Sequence, residues 1–169
     1  GNGVGPVLEM VECLKVLERD EKRSEALEDT VVDMAATIFE ANGRAKKGMG
    51  KKLTLDLLDS GKALKKFWDI AKAQGEKKEK KSSELKLGSL KHQVKSVKSG
   101  TIKNICTREI VEVARSLGTP KIKEAVIYFD KMPGDKVEKG DTLMTLYATS
   151  KDRMEDGIKA VNLEKLFEI

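Results

Sequence analysis

Aromatic side chains make up only 4% of this chain, with one tryptophan, one histidine and two cysteines. Each scarcity excludes something. His92 stands alone, with no second His and no Cys or carboxylate cluster beside it in sequence, so neither a metal site nor a catalytic imidazole is indicated. Cys13 and Cys106 lie far apart and match neither a disulfide framework nor a zinc spacing, which points to a reducing cytoplasm. No apolar run approaches the roughly 20 residues of a membrane span, and no basic stretch followed by a small-residue cleavage site opens the chain. The expectation is a cytoplasmic protein with no membrane partner, no metal and no bound cofactor. Asn and Gln are also sparse while Lys and Glu abound, a balance that hints at a thermophilic source, although six methionines count against it.

What is present is charge. Charged residues are 36% of the total, but 33 basic against 28 acidic residues leave a net charge of only +5. The surplus is spread along the chain, as on a solvated surface, and predicts no nucleic-acid partner. A hydrophobic content of 39% over 169 residues can supply the core of one ordinary domain or two small ones.

The opening Gly1-Asn2-Gly3-Val4-Gly5-Pro6 has no initiator Met and reads as the interior of something longer. Its glycines could form a phosphate cradle, but that reading needs a preceding strand and an acidic residue about 20 positions on. Neither is visible. Pro6 then starts a helix whose stripe is Val7, Met10, Val11, Leu14 and Leu17, widened by Leu8, Cys13 and Val16. Ser24 caps a second helix, with Leu27, Val31, Met34, Ala35 and Ile38 as its expected buried stripe and Asn42-Gly43 as its end. A third helix runs through Leu53, Leu57 and Leu58, Ser60-Gly61 breaks the chain, and a fourth carries Leu64, Phe67, Trp68 and Ala71. Trp68 lies on a core-type stripe, so it reads as packing and not as a ring on which a base stacks.

From Gly75 the segment G-E-K-K-E-K-K-S-S-E has nothing to bury and reads as a linker or exposed loop. Beyond it the alternation of Leu90, His92 and Val94 with Lys91, Gln93 and Lys95 is strand periodicity, and Ser99-Gly100 turns into a strand with Ile102 and Ile105. Thr107 should cap a helix with Ile110, Val113, Ala114 and Leu117 inward, stopped by Gly118 and Pro120. Ala125 to Phe129 is a continuously apolar strand, expected to be buried on both faces. Pro133-Gly134-Asp135 and Gly140-Asp141 are turns of two expected hairpins, with Val137, Leu143, Thr145 and Tyr147 inward and Lys136, Glu138 and Lys139 in water. Ser150 caps a last helix carrying Met154, Ile158 and Val161, and Leu166 to Ile169 closes as a strand. The resulting fold class is α+β: a helical lobe over residues 1–75, a charged linker over 76–84 and an α+β module over 85–169.

Five motifs occur in a fixed order: G-x-G-x-G-P-x-L-E (Gly1 to Glu9), D-S-G-K-A-L-x-K-F (Asp59 to Phe67) with A-Q-G (Ala73 to Gly75), S-G-T-I-x-x-I (Ser99 to Ile105), L-G-T-P-K (Leu117 to Lys121) and G-D-K-V-E-K-G-D-x-L-x-x-x-Y-A (Gly134 to Ala148). In this order they resemble the last third of the thymidine phosphorylase family, and Gly5-Pro6 with a compact C-terminal module is similar to its archaeal AMP phosphorylase branch. The resemblance implies a parent enzyme in which inorganic phosphate, a co-substrate, attacks C1′ of a nucleoside or nucleoside monophosphate. For the AMP branch the products are adenine and ribose 1,5-bisphosphate. It also implies an α/β domain that the first lobe helps to cover, a hammerhead-like antiparallel module (barrel-sandwich hybrid-like), and a homo-oligomer.

The family's phosphate loop and its Arg, Ser and Lys cluster precede the region matched here. No catalytic, substrate-binding or metal residue is therefore carried over, and the chain alone is expected to be inactive. Where relatives commonly have Arg or another larger residue after the first glycine, this chain has Asn2, which puts the rim of the active site in question. An alternative starts from G-D-x-V-x-x-G-D-x-L, which also opens lipoyl and biotinyl carrier domains. The modified lysine would then fall at Ser150, and Lys151 is one place off.

Overall fold

The computed structural model describes all 169 residues. In chain order the elements are β1 (Gly3–Val4), α1 (Pro6–Leu17), α2 (Glu25–Ala41), α3 (Gly50–Asp59), α4 (Lys62–Ala73), a 3-10 turn (Ser82–Glu84), β2 (Leu90–Lys95), β3 (Gly100–Thr101), β4 (Asn104–Ile105), α5 (Thr107–Leu117), β5 (Val126–Phe129), β6 (Lys136–Val137), β7 (Thr142–Ala148), α6 (Lys151–Ala160), α7 (Leu163–Leu166) and β8 (Phe167–Glu168). The architecture is α+β, with antiparallel pairing throughout. Two compact units divide the chain: Met10–Leu85 with Gly1, and Lys86–Ile169 with Asn2–Glu9. The glycine-rich opening groups with the second unit because β1 pairs with β5, Gly3 opposite Tyr128 and Val4 opposite Ile127.

In the first unit Leu14 and Val16 of α1 are buried, whereas Met10 and Cys13 are exposed, so the stripe of α1 is narrower than its pattern suggests. Ser24 caps α2 as expected, its Oγ accepting from the Leu27 amide at 3.2 Å. The face that α2 buries differs from the expected one. Glu28, Val32 and Ala36 point inward, while Val31, Met34 and Ile38 are 42%, 62% and 59% exposed. Close approach and charge pairing set this rotation. A Cβ on Gly50 would lie 2.4 Å from the Ala36 carbonyl oxygen, so α3 reaches α2 only where both residues are small. Glu28, at the same face, is held by Arg19 and Arg23. Val16, Val32 and Leu58 fill the small apolar core, with Leu17, Leu27 and Ala63 against it.

Glu40 closes the α2–α3 turn by accepting from the Gly50 amide at 2.8 Å. Backbone N–H groups of Gly48 and Gly50 hold its carboxyl below the usual carboxylate range. Residues 76–84 are more than a loop with nothing to bury. Ser82 is buried, and Glu18 accepts from both its amide, at 2.9 Å, and its hydroxyl, at 2.6 Å.

The second unit is built on a four-stranded sheet of order β1-β5-β7-β2. Val4, Ile127, Leu146 and His92 form one cross-strand row, followed along the same face by Phe129, Met144 and Val94. α5 and α6 pack on the sheet, with Val113, Leu117 and Met154 in the core shared with these strands. Burial of such a side chain contributes about 1.5–3 kcal/mol relative to exposure. β7 is an inner strand, so Met144, Leu146 and Ala148 are buried along with Leu143 and Thr145, and the expected one-sided alternation does not hold. In β5 the departure runs the other way, with Tyr128 36% exposed.

Three further local expectations need correction. The two turns do not make hairpins within their own stretch, because β6 pairs with β3, Val137 opposite Gly100. Cys106, not Thr107, occupies the N-cap of α5, with no side-chain capping bond. In α6 it is Gly157 and not Ile158 that turns inward with Met154, because the Leu117 side chain occupies the space a Cβ would need. The closing strand forms as β8, shorter than expected, and pairs with β4.

Candidate functional site

The five motifs carry the resemblance, and the partners of their polar groups decide whether any is free to form a site. In the opening turn, Gly5 takes φ 116°, and a side chain there would meet Val126 of β5. The Gly5 amide donates to Glu9 Oε1 at 2.8 Å, and the Val7 amide donates to the Lys123 carbonyl at 3.2 Å. Asn2 is tied to β5 twice: its Nδ2 donates to the Phe129 carbonyl at 3.1 Å, and its own carbonyl accepts from the Phe129 amide at 2.9 Å. The donors that a phosphate cradle would need at Gly5 and Val7 are thus engaged within the protein. The preceding strand lies in an antiparallel sheet, unlike the dinucleotide fold.

The other motifs behave likewise. Asp59 accepts from Arg19 Nε at 2.8 Å, and Gly61 supplies the left-handed break before α4. Thr119 Oγ1 donates to the Ala125 carbonyl at 2.5 Å, just after Gly118 ends α5. In the long motif, Asp135 and Asp141 do the same job in two successive turns: each carboxylate accepts the amide of the residue three places earlier, Met132 at 2.7 Å and Glu138 at 3.1 Å. Between them, the Ile102 amide donates to the Asp135 carbonyl, and the Gly134 amide to the Ile102 carbonyl. The motif is a frame that fastens β3 and β6 over the fully buried Ile102.

His92 is partly buried within β2, opposite Leu146. Trp68 is 9% exposed and stacks edge-on with Phe67, ring centroids 5.0 Å apart, so its packing role stands. A groove of about 470 Å³ runs beside it, lined by Met10, Leu14, Ala71 and Leu85 among others. No group of three or more His, Cys, Asp or Glu side chains is placed to hold a metal ion. No helix is long and apolar enough to cross a membrane. Lys151, the candidate carrier lysine, is the first residue of α6, behind its Ser150 cap. A carrier lysine sits at a hairpin tip, and this chain continues from β7 into a helix instead.

Sequence reasoning missed one charged cluster. Glu28 accepts from Arg19 Nη1 at 2.5 Å and from Arg23 Nε, and Arg19 also reaches Asp59. Burial would raise the Glu28 pKa, but the hydrogen bonds and charges of Arg19 and Arg23 outweigh it and hold the carboxyl below its ordinary value. Arg19 takes the left-handed conformation, φ 58°, at the end of α1. The separations within this cluster follow no local period, so no sequence pattern announces it. Every charge in it faces a partner inside the unit, which marks it as a structural node.

Residues 101–165 match the pyrimidine nucleoside phosphorylase C-terminal domain. The chain belongs to this phosphorylase family, and its similarity to relatives extends well beyond the domain. It is 37% identical over 163 residues to the AMP phosphorylase of Methanocaldococcus jannaschii, covering 96% of this chain and 32% of the relative. It is 35% identical over 158 residues to the AMP phosphorylase of Methanococcus aeolicus, 94% of this chain and 31% of that one. With AMP phosphorylase 2 of Archaeoglobus fulgidus it shares 33% identity over 169 residues, 100% of this chain and 33% of the relative. The chain therefore spans about a third of the length of the curated relatives it matches, and corresponds to their C-terminal part.

Proposed function

We propose that this chain is the C-terminal third of a phosphorylase that cleaves the N-glycosidic bond of AMP with inorganic phosphate. The products are adenine and ribose 1,5-bisphosphate. The observation that carries this reading is the similarity to AMP phosphorylases over 94–100% of the chain. Phosphate attacks C1′ as the bond to the base breaks, and the donors that steady the phosphate and the leaving base belong to the part of the enzyme outside this sequence. Within the chain, residues 1–75 supply helices to the α/β domain, and residues 85–169 form the C-terminal domain of hammerhead-like kind. That last assignment is supported by three separate antiparallel sheets around one core. The role here is structural, because Gly5, Glu9, Thr119, Asp135 and Asp141 are all engaged in internal hydrogen bonds. The assembled enzyme is cytoplasmic and homo-oligomeric in this reading.

The test is adenine release from AMP and phosphate, followed chromatographically. The chain alone should release none, and co-expression with the preceding two-thirds of the polypeptide should restore it. Turnover by the chain alone overturns the structural role. Restored activity on thymidine or uridine but not AMP moves the substrate to a pyrimidine nucleoside.

A further inference from the structure

The outward face of α2 is uncharged from Thr30 to Ala41, while Leu27, on the same side near its start, packs against the core. At 100° per residue, Thr30, Val31, Met34, Thr37, Ile38 and Ala41 share one side, while Glu25, Glu28, Asp29, Asp33 and Glu40 all fall on the other. In a chain that is 36% charged, such a face is unusual. Its apolar members are open to solvent, with Met34 62% and Ile38 59% exposed. The two threonines do not need water. Thr30 Oγ1 donates to the Ala26 carbonyl at 2.9 Å and Thr37 Oγ1 to the Asp33 carbonyl at 2.8 Å, so both hydroxyl protons are satisfied inside the helix. The face can become dry without stranding a donor.

We infer that this face of α2 is the seat of an apolar element from the part of the phosphorylase polypeptide that lies outside this sequence. The inference rests on reading the chain as the C-terminal third of the enzyme. Two observations select this occupant over a second copy. The relatives carry about twice as much polypeptide again, since this chain covers 31–33% of them. The face is also small: at about 1.5 Å per residue Thr30 to Ala41 span about 18 Å and, at about 10 Å wide, present on the order of 180 Å². A stable interface between free proteins needs about 800 Å² from each partner. An element tethered in the same polypeptide needs far less, because its effective concentration is already high. An uncharged face likewise fits an apolar element and would leave a charged one unpaired.

The test is a paired substitution, Met34→Lys with Ile38→Lys, in which both replaced side chains are exposed. Circular dichroism and thermal melting of the chain should be unchanged. The same pair is then made in the full-length polypeptide, and its soluble yield and its adenine release from AMP and phosphate are measured beside the unsubstituted form. Soluble yield at least tenfold lower for the substituted polypeptide is the expected result. Equal yield overturns the inference and leaves the proposed function standing. No adenine release by the unsubstituted full-length polypeptide overturns the proposed function and the inference with it. A concentration-dependent dimer of the chain alone, lost on substitution, assigns the face to a second copy and also overturns the inference.

Discussion

Glu28 of α2 accepts a hydrogen bond from Arg19, nine residues earlier, with Nη1 and Oε1 2.5 Å apart. The contact bridges the turn between α1 and α2, and Arg19 extends it to Asp59 at the end of α3. Because Glu28 is buried, loss of its charge would leave Arg23 without its ion-pair partner and Arg19 with Asp59 alone. Glu28→Gln should lower the stability of the first unit by about 2 kcal/mol or more. Its pKa is depressed in the folded state, so the stabilisation is present above the unfolded value of about 4.3. It is lost as pH falls through the folded pKa. Urea midpoints measured between pH 3 and 7 should therefore fall toward acid in the native chain and much less in Glu28→Gln.

Gly50 sets the spacing of α2 and α3. With a Cβ placed 2.4 Å from the Ala36 carbonyl oxygen, Gly50→Ala must push the helices apart. The expected loss is about 1–3 kcal/mol in chemical denaturation, despite the better helix propensity of Ala. Gly43→Ala provides the contrast, since nothing lies within 4 Å of its added Cβ and the strain there is that of a positive φ alone.

The charged segment before the second unit is fastened through Ser82. Ser82→Ala removes the hydroxyl that donates to Glu18 at 2.6 Å and leaves the amide contact at 2.9 Å. Trypsin should then cut at Lys77, Lys78, Lys80 or Lys81 several-fold faster, because local opening becomes easier while the global fold is kept. An unchanged cleavage rate would show that the amide contact alone holds the segment.

Lys151 should carry no cofactor. Expression with lipoate and biotin, followed by intact mass measurement, is expected to give the unmodified mass, since Lys151 opens α6 behind the Ser150 cap. Lys151→Ala, at an exposed position, should change stability by less than about 0.5 kcal/mol.

The sequence by itself determined most of the local structure. Ser24 and Ser150 announced their caps, Gly61 and Gly118 their breaks, and the five ordered motifs announced the family, because each rests on neighbours within a few residues. It could not show which face of α2 turns inward. A helical wheel weighs hydrophobicity and favours Val31, Met34 and Ile38, whereas the fold weighs the fit of Ala36 to Gly50 and of Glu28 to Arg19 and Arg23. Nor could it show that β6 would pair with β3 and not with its neighbour in sequence, or that β7 would be covered on both sides. Only the tertiary structure decided these points, because each depends on contacts between residues with no periodic relation along the chain. The same holds for the uncharged face of α2, which became a surface feature only once its other side was buried.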